Sequence, residues 1–535
     1  MSTQYAIQIT GRDRIEIKEA MPVPTPGPRQ ILLKVEACGI CFSDTKLMHA
    51  FESHPRKMPI LAGMTADELA GIPTYRPGAD PIVPGHEPVA RVVAVGEAVT
   101  RYVPGQRMLV QTDYRHLPTA AANAAFGYDF DGALEEYALV DERMVIDPVT
   151  DESYLIEVGE TPSASAVALI EPWACVETAY AWPERQGLKP GGTLLVVVEP
   201  GLEPEGLEEL VAAAAPARRV GYPTPLTGNT EGQFDDIIYV GADPATVEAL
   251  GPHLAKGGLM NLVTCGQTFG RPVEIDVGRI HYDLIRYVGT TGSRVADGYA
   301  WSPDRSEVRP GDRVGVIGAA GPMGLMHTVR AITAGVPGVT MDAIDVSDER
   351  LAHLEQVLAP IVAANPVPTR VINSVATPLE PGSYTYLALM VPSPGLLAQA
   401  VGLAAAGAIV NAFAGFAIGT MAPLDLDSIV AHRLYIVGTS GSRVVDMITV
   451  LHRLEAGLVD TNISLDAICG IAGVPDAIES VNNRTSQGKI MVYPQLHDLG
   501  LIRLVDLPGQ LPEVAAAMDG GRWTKQAESV LLRNA

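Results

Sequence analysis

The segment Tyr287-Val-Gly-Thr-Thr-Gly-Ser-Arg-Val-Ala-Asp297 returns 149 positions later as Ile436-Val-Gly-Thr-Ser-Gly-Ser-Arg-Val-Val-Asp446, with eight of eleven residues identical. A repeat of that spacing means one supersecondary arrangement used twice, so the chain must fold around two related layers. Upstream, Leu188-Lys-Pro-Gly-Gly-Thr-Leu-Leu-Val-Val-Val198 resembles Val308-Arg-Pro-Gly-Asp-Arg-Val-Gly-Val-Ile-Gly318 at an offset of 120. Pro244, Gly257 and Asn261 fall opposite Pro394, Gly407 and Asn411 at an offset of 150. The first copy is therefore about 30 residues shorter, and the deficit lies between its first strand and Asp235. Within both copies strand-like runs alternate with Ala/Leu-rich helical stretches, the pattern of a doubly wound parallel α/β sheet.

The first 150 residues have a different texture. Short apolar or alternating runs at 7–9, 15–17, 31–35, 90–95, 108–111 and 136–139 are separated by Gly and Pro turns, which predicts a small barrel-like β domain. A helix is expected over 163–180, and short apolar runs return over 460–494. The tail, 501–535, reads as one or two amphipathic helices without assignable chemistry. Boundaries then fall at 1–180 for the β domain, 181–305 for the first repeat, 306–455 for the second, and 456–535 for the return and the extension.

A formal net charge of -24 opposes docking on nucleic acid or an anionic membrane. No run of about 20 apolar residues and no secretory leader are visible. Five cysteines, an odd and sparse set, suit a reducing cytoplasm.

The second repeat carries a nucleotide-binding pattern. Gly318, Gly321 and Gly324, with Pro322 and Met323 between them, join a strand to a helix and would let a pyrophosphate approach the helix N-terminus. Asp345 closes the next strand, 21 residues after Gly324, where an acid accepts from ribose hydroxyls and favours NAD over NADP. In the first repeat the same turn reads Glu199-Pro-Gly-Leu-Glu-Pro-Glu205. Three carboxylates and two prolines there oppose phosphate binding, so this copy is read as degenerate.

In the β domain, Glu36-Ala-Cys-Gly-Ile-Cys-Phe-Ser-Asp44 and Pro84-Gly-His-Glu-Pro88 resemble the zinc-binding signatures of the medium-chain dehydrogenase/reductase family, its sorbitol and threonine dehydrogenases in particular. Gly132-Ala-Leu-Glu-Glu-Tyr137 and Ala168-Leu-Ile-Glu-Pro172 resemble further family segments. The resemblance implies a GroES-like β-barrel catalytic domain joined to a Rossmann-type domain, here with an extra degenerate Rossmann-like repeat. It implies one catalytic zinc held by Cys41, His86 and Glu171, with Glu87 as a further or exchanging ligand. Asp44 would orient His86, and Ser43 would begin a proton relay. Such a zinc polarises an alcohol oxygen and stabilises the alkoxide that gives up hydride. No cysteine falls in the lobe that holds a structural zinc in some relatives, so none is expected.

Two features depart from the family pattern. Forty-five positions separate Cys41 from His86, which leaves an inserted loop near 51–80 beside the cleft. The relay histidine is replaced by Lys46, with His49 three residues on; either would continue the relay or bind an anion. Lys46, His54, Arg56 and Lys57 form a basic cluster suited to a sugar phosphate or carboxylate.

The reading is a zinc-dependent oxidoreductase moving hydride between NAD(H) and a secondary alcohol or polyol. The active site would lie between the β domain and the second repeat, in a homodimer or homotetramer. Alternatives are an NADPH-linked carbonyl or sugar-phosphate reductase, a catalytically silent nucleotide-binding assembly protein, and a zinc-free quinone reductase.

Overall fold

The computed structural model describes residues 2–223 and 232–533. Part of the shortened stretch of the first repeat, 224–231, lies outside the described residues. The chain divides into two compact units, Met1–Glu177 with Gly441–Ala535, and Thr178–Ser440. The second unit ends at Ser440, short of the boundary expected at 455. The reason is local: Ser442 just beyond it accepts a hydrogen bond from Gln111 of the first unit at 3.0 Å. Helix Val444–Glu455 follows in that unit.

The first unit is built on the long strand Gln30–Ile40, which pairs antiparallel with Glu87–Val95, Tyr137–Asp141 and Lys489–Val492. The returning strands Leu465–Cys469 and Lys489–Val492 run parallel to each other and extend this sheet. Alternation along Gln30–Ile40 places Ile31, Leu33 and Val35 in the core. The predicted helix over 163–180 is two consecutive helices, Ala164–Ala168 and Ile170–Ala181. The tail has a structural task. In helix Lys525–Arg533, buried Glu528 accepts from the backbone N–H of Ala164 at 2.6 Å and of Ser165 at 2.9 Å. It also accepts from the Tyr493 hydroxyl at 2.9 Å. One carboxylate thus satisfies two orphan donors of the helix N-terminus.

The second unit holds two parallel sheets. One has the strand order 369–373, 340–345, 313–317, 384–389, 404–411, 435–437. Numbered along the chain this is 3-2-1-4-5-6, the dinucleotide-binding order. The other runs 218–223, 193–198, 234–240, 254–263, 286–290, the same order without a third strand among the described residues. The long helix Asp348–Ala364, which precedes the third strand Thr369–Asn373, likewise has no counterpart among the described residues of the shorter copy. One hydrophobic cluster runs through both sheets. No helix among the described residues is long and apolar enough to cross a membrane.

Helix Pro322–Thr333 carries a buried histidine. His327 Nδ1 shares a hydrogen bond with the Tyr180 hydroxyl at 2.9 Å, and burial with nearby Arg330 depresses its pKa from 6.5 to about 3. The unfolded chain binds a proton there between those values while the fold does not. This contribution to stability is therefore intact above pH 6.5 and drains away as pH falls toward 3. Unfolding free energies at neutral and mildly acidic pH should differ less in His327→Gln than in the wild type, by up to about 1.4 kcal/mol per pH unit; identical slopes would refute the assignment. Separately, Glu528→Gln should cost about 1.5–3 kcal/mol in urea unfolding, because the bonds lost are charge-assisted. Unchanged stability would show that the tail is dispensable.

Candidate functional site

Strand Gln30–Ile40 delivers Cys41 to the N-cap of helix Phe42–Ala50. The strand Glu87–Val95, paired beside it, begins at Glu87, directly after His86. Register does the rest: Gly39 pairs with Glu87 and Cys38 with Pro88. A Cβ at Gly39 would stand 2.2 Å from Glu87 Oε2, so only glycine admits the carboxylate there.

Three ligand atoms, from Cys41, His86 and Glu87, lie within 4.8 Å of one another. Buried Asp44 fixes their frame. It accepts from the Cys41 N–H at 2.9 Å and from the Gly85 N–H at 3.3 Å, and it pairs with His86 Nδ1 at 3.2 Å. Burial raises the Asp44 pKa, but His86 and the Cys41 amide outweigh it and hold the carboxyl below its usual range. Burial likewise disfavours His86⁺, yet Tyr128, Asp44 and Cys41 together push its pKa well up. In such surroundings a divalent cation held by His86 would take the place of the proton.

Glu87 Oε1 accepts from Lys489 Nζ at 2.6 Å, and Glu87 Oε2 is buried without a hydrogen-bond partner. An orphaned buried carboxylate oxygen beside a thiol and an imidazole is the donor chemistry of a zinc site, and these residues fit that ion. Glu171 is close but outside the group. Its buried carboxyl is pushed up to about 7 by burial and by Glu87, against His86 and Lys489. It accepts from Cys175 Sγ at 3.5 Å. Cys38 faces the core, its thiol directed to the Gly39 carbonyl, and all five cysteines are free thiols.

The other predicted residues divide. Ser43 stands half-buried in the first turn after Cys41. Lys46 is half-buried with Nζ 5.5 Å from the Phe42 ring. His49 is drawn away: its ring nitrogens face Asp13 and, at 3.0 Å, Asn482 Oδ1. The basic cluster is smaller than its sequence suggests. Lys57 is fully buried and spends Nζ on the Arg76 and Asp80 carbonyls, both at 2.6 Å. His54 is neutral, its pKa pushed down to about 3 by burial, then by Arg56, Lys46 and His86. Arg56 donates to Asp113 at 2.8 Å and lies 5.6 Å from the Tyr128 ring centre. Tyr128 in turn stands between His54 and His86, at 5.1 and 5.3 Å between ring centres. The inserted loop therefore does border the donor group. Tyr128 and Lys489 escaped the sequence reading; a lone lysine entering the apolar run of 489–492 was the available signal.

In the second unit, Gly318 has φ +85°, and a Cβ at Gly324 would meet the Gly318 carbonyl oxygen at 2.1 Å, so the helix packs directly on the turn. Gly321 caps this helix, and Pro322 opens it. Met323 follows in its first turn, half-buried. Asp345 reaches the same loop: Oδ2 accepts from Ala320 N–H at 3.1 Å and Oδ1 from Val346 N–H at 2.8 Å. Arg350, which sequence reading passed over, donates to the Ala320 carbonyl at 3.0 Å. The corresponding turn of the first repeat is filled. Glu199 accepts from the Tyr239 hydroxyl, and a Cβ at Gly241 would collide with the Glu199 side chain at 2.4 Å. Helix Leu207–Ala214 starts nine residues after strand Thr193–Val198, leaving no short phosphate turn.

Metal analysis tests the donor group. The wild type should carry about one zinc per chain. Cys41→Ser and His86→Ala should lose it, and Cys38→Ser should keep it. Zinc retained in all three, or absent from the wild type, refutes the assignment.

The alcohol dehydrogenase GroES-like domain matches residues 27–150. The chain is 28% identical over 225 residues to YphC of Escherichia coli K12, an uncharacterized zinc-type alcohol dehydrogenase-like protein, covering 40% of this chain and 55% of that one. It thus spans about half the length of that relative. It is 25% identical over 284 residues to D-altritol 5-dehydrogenase of Agrobacterium fabrum, covering 48% of this chain and 74% of that enzyme. A solved alcohol dehydrogenase (rspB) of Escherichia coli CFT073, complexed with NADH, shares the fold with a TM-score of 0.51 at 16% identity, over 92% of this chain and 100% of that one. Residues 27–150 thus carry the alcohol dehydrogenase GroES-like domain, with the Cys41, His86 and Glu87 donor group inside it, and the chain is similar to zinc-type alcohol dehydrogenase-like proteins.

Proposed function

We propose that the protein transfers hydride between a nicotinamide cofactor and a secondary alcohol or polyol, or the matching ketone. The observation that carries this reading is the cluster of Cys41, His86 and Glu87 donor atoms within 4.8 Å, locked by Asp44. A zinc ion bound there supplies Lewis acidity toward the alcohol oxygen. Cys41 and His86 hold it, with Glu87 or Glu171 as the carboxylate. Asp44 sets the ring orientation of His86, and Lys489 holds Glu87. Ser43, in the turn after Cys41, takes the alcohol proton outward, and Lys46 rather than His49 continues the path. Likeness to a D-altritol dehydrogenase supports a polyol substrate. Arg56, and not Lys57, is the cation that a phosphorylated polyol would meet. Five free thiols suit a reducing cytoplasm.

The cofactor belongs on the second repeat, over 318–324, with Asp345 accepting from the ribose hydroxyls, which favours NAD. One observation favours NADP as a second reading. Arg350 stands against the glycine loop, and Asp345 already accepts from two backbone donors. A guanidinium in that place can pair with a 2′-phosphate.

Kinetics with both cofactors on a panel of polyols and polyol phosphates separate these readings. Asp345→Ser should raise the KM for NAD about 10-fold or more, as expected for loss of a charge-assisted hydrogen bond. Arg350→Ser should leave NAD use unchanged. A loss of NADP turnover in Arg350→Ser, with NAD turnover negligible throughout, would make the second reading correct. Zinc-loaded protein that turns over no alcohol or ketone with either cofactor would end the dehydrogenase reading.

A further inference from the structure

We propose that the first repeat is a built-in partner subunit: it occupies the two-fold face of the nucleotide-binding repeat that a second copy of the chain would otherwise cover, so the pairing is completed within one polypeptide.

The two sheets are joined by an antiparallel ladder between strands Val273–Asp276 and Met421–Leu424. In that ladder Glu274 pairs with Pro423. The offset between them, 423 − 274 = 149, is that of the sequence repeat, so each residue pairs with its own counterpart. Val273 pairs with Leu424 and Ile275 with Ala422; adding 149 to the first member of either pair gives the second member of the other. This is the register of an isologous two-fold interface, where i meets j and j meets i.

Contacts away from the ladder obey the same operation. Gly289 approaches Val430, where a Cβ would stand 2.9 Å from Val430 Cγ2; its counterpart Gly438 approaches His281, the counterpart of Val430, where a Cβ would stand 2.9 Å from His281 Cα. Gly419 N–H donates to Asp276 at 2.9 Å; its counterpart Gly270 donates at 3.1 Å to Asp427, two residues beyond Asp425, the counterpart of Asp276, so here the donors correspond and the acceptor has shifted. Ile275, Ile280 and Ile285 share one core with Leu424, Ile429 and Leu434.

The interface has also diverged in a way two identical copies cannot reproduce. Arg286 and Tyr435 are counterparts, and both converge on Glu184: Arg286 donates to it at 2.9 and 3.0 Å, and the Tyr435 hydroxyl at 2.9 Å. Two copies meeting through the same repeat would set arginine against arginine, or tyrosine against tyrosine. The arginine–carboxylate–tyrosine set requires one of each. The homodimer or homotetramer expected from the sequence is therefore replaced, at this face, by pairing within the chain.

Ile275→Cys/Ala422→Cys, oxidised and mapped by peptide mass, is the direct test. The expected product is a disulfide within one chain, on a species of the 56.6 kDa monomer mass. A disulfide-linked dimer, or no linkage in the folded double variant, overturns the proposal. Should the double variant fail to fold, the wild type still decides. Amide-exchange protection of 273–276 and 421–424 should not change over about a hundredfold dilution, as befits an intramolecular contact. Protection lost on dilution would mean that these strands pair between chains.

Discussion

One buried carboxylate holds the donor group together. Asp44 receives two backbone N–H groups and an imidazole from segments more than forty positions apart. Burying such an anion costs several kcal/mol unless every donor is in place. The three donors therefore act as a set, and they fix Cys41 and His86 in a common frame. The ends of the inserted loop between those residues are pinned by Asp44 and by the pairing of Gly39 with Glu87.

Lys489 adds a second constraint of the same kind. It enters from the returning segment, on a strand paired with Gln30–Ile40, and neutralises one oxygen of Glu87. Burial penalises its charge, and Glu87 with Cys41 more than restores it. The ion pair leaves Glu87 Oε2 buried without a hydrogen-bond partner in the donor group it forms with Cys41 and His86. The C-terminal part of the chain is thus part of the site, and Glu528 ties the final helix to the start of helix Ala164–Ala168, just ahead of Glu171.

What the sequence made legible follows from how local each signal is. Cys41, Asp44, His86 and Glu87 sit in two short runs, which the pairing of Gly39 with Glu87 sets side by side, whereas Glu171 stands outside the group they form. The glycine loop and Asp345 were equally readable, because strand, turn and helix are contiguous there. His49, Lys57 and His54 show the limit. Residue type suggested relay and anion binding, but their partners, Asp13, Asn482, the Asp80 carbonyl and Tyr128, are set by tertiary packing. Lys489, Tyr128 and Arg350 were hidden for the same reason, since each acts on residues that no local pattern connects to it.

The two repeats differ most at the turn after their first strand. In the second copy glycines at 318 and 324 keep the turn open and the helix close. In the first copy Glu199 fills the equivalent crevice and bonds Tyr239, so an acid stands where a phosphate would need to come. The repeated Gly-Ser-Arg segment diverges too. Ser293 donates to Glu205 and stitches the altered turn of the first copy, whereas Ser442 accepts from Gln111 in the β domain's unit. What both copies retain is the apolar face and the ladder strand. The first copy is held by burial: exposing the face of Ile275, Ile280 and Ile285 would forfeit about 1.5–3 kcal/mol for each side chain. That cost falls on the second copy as well, because the same contacts cover its own face. Each copy therefore buries the apolar face of the other.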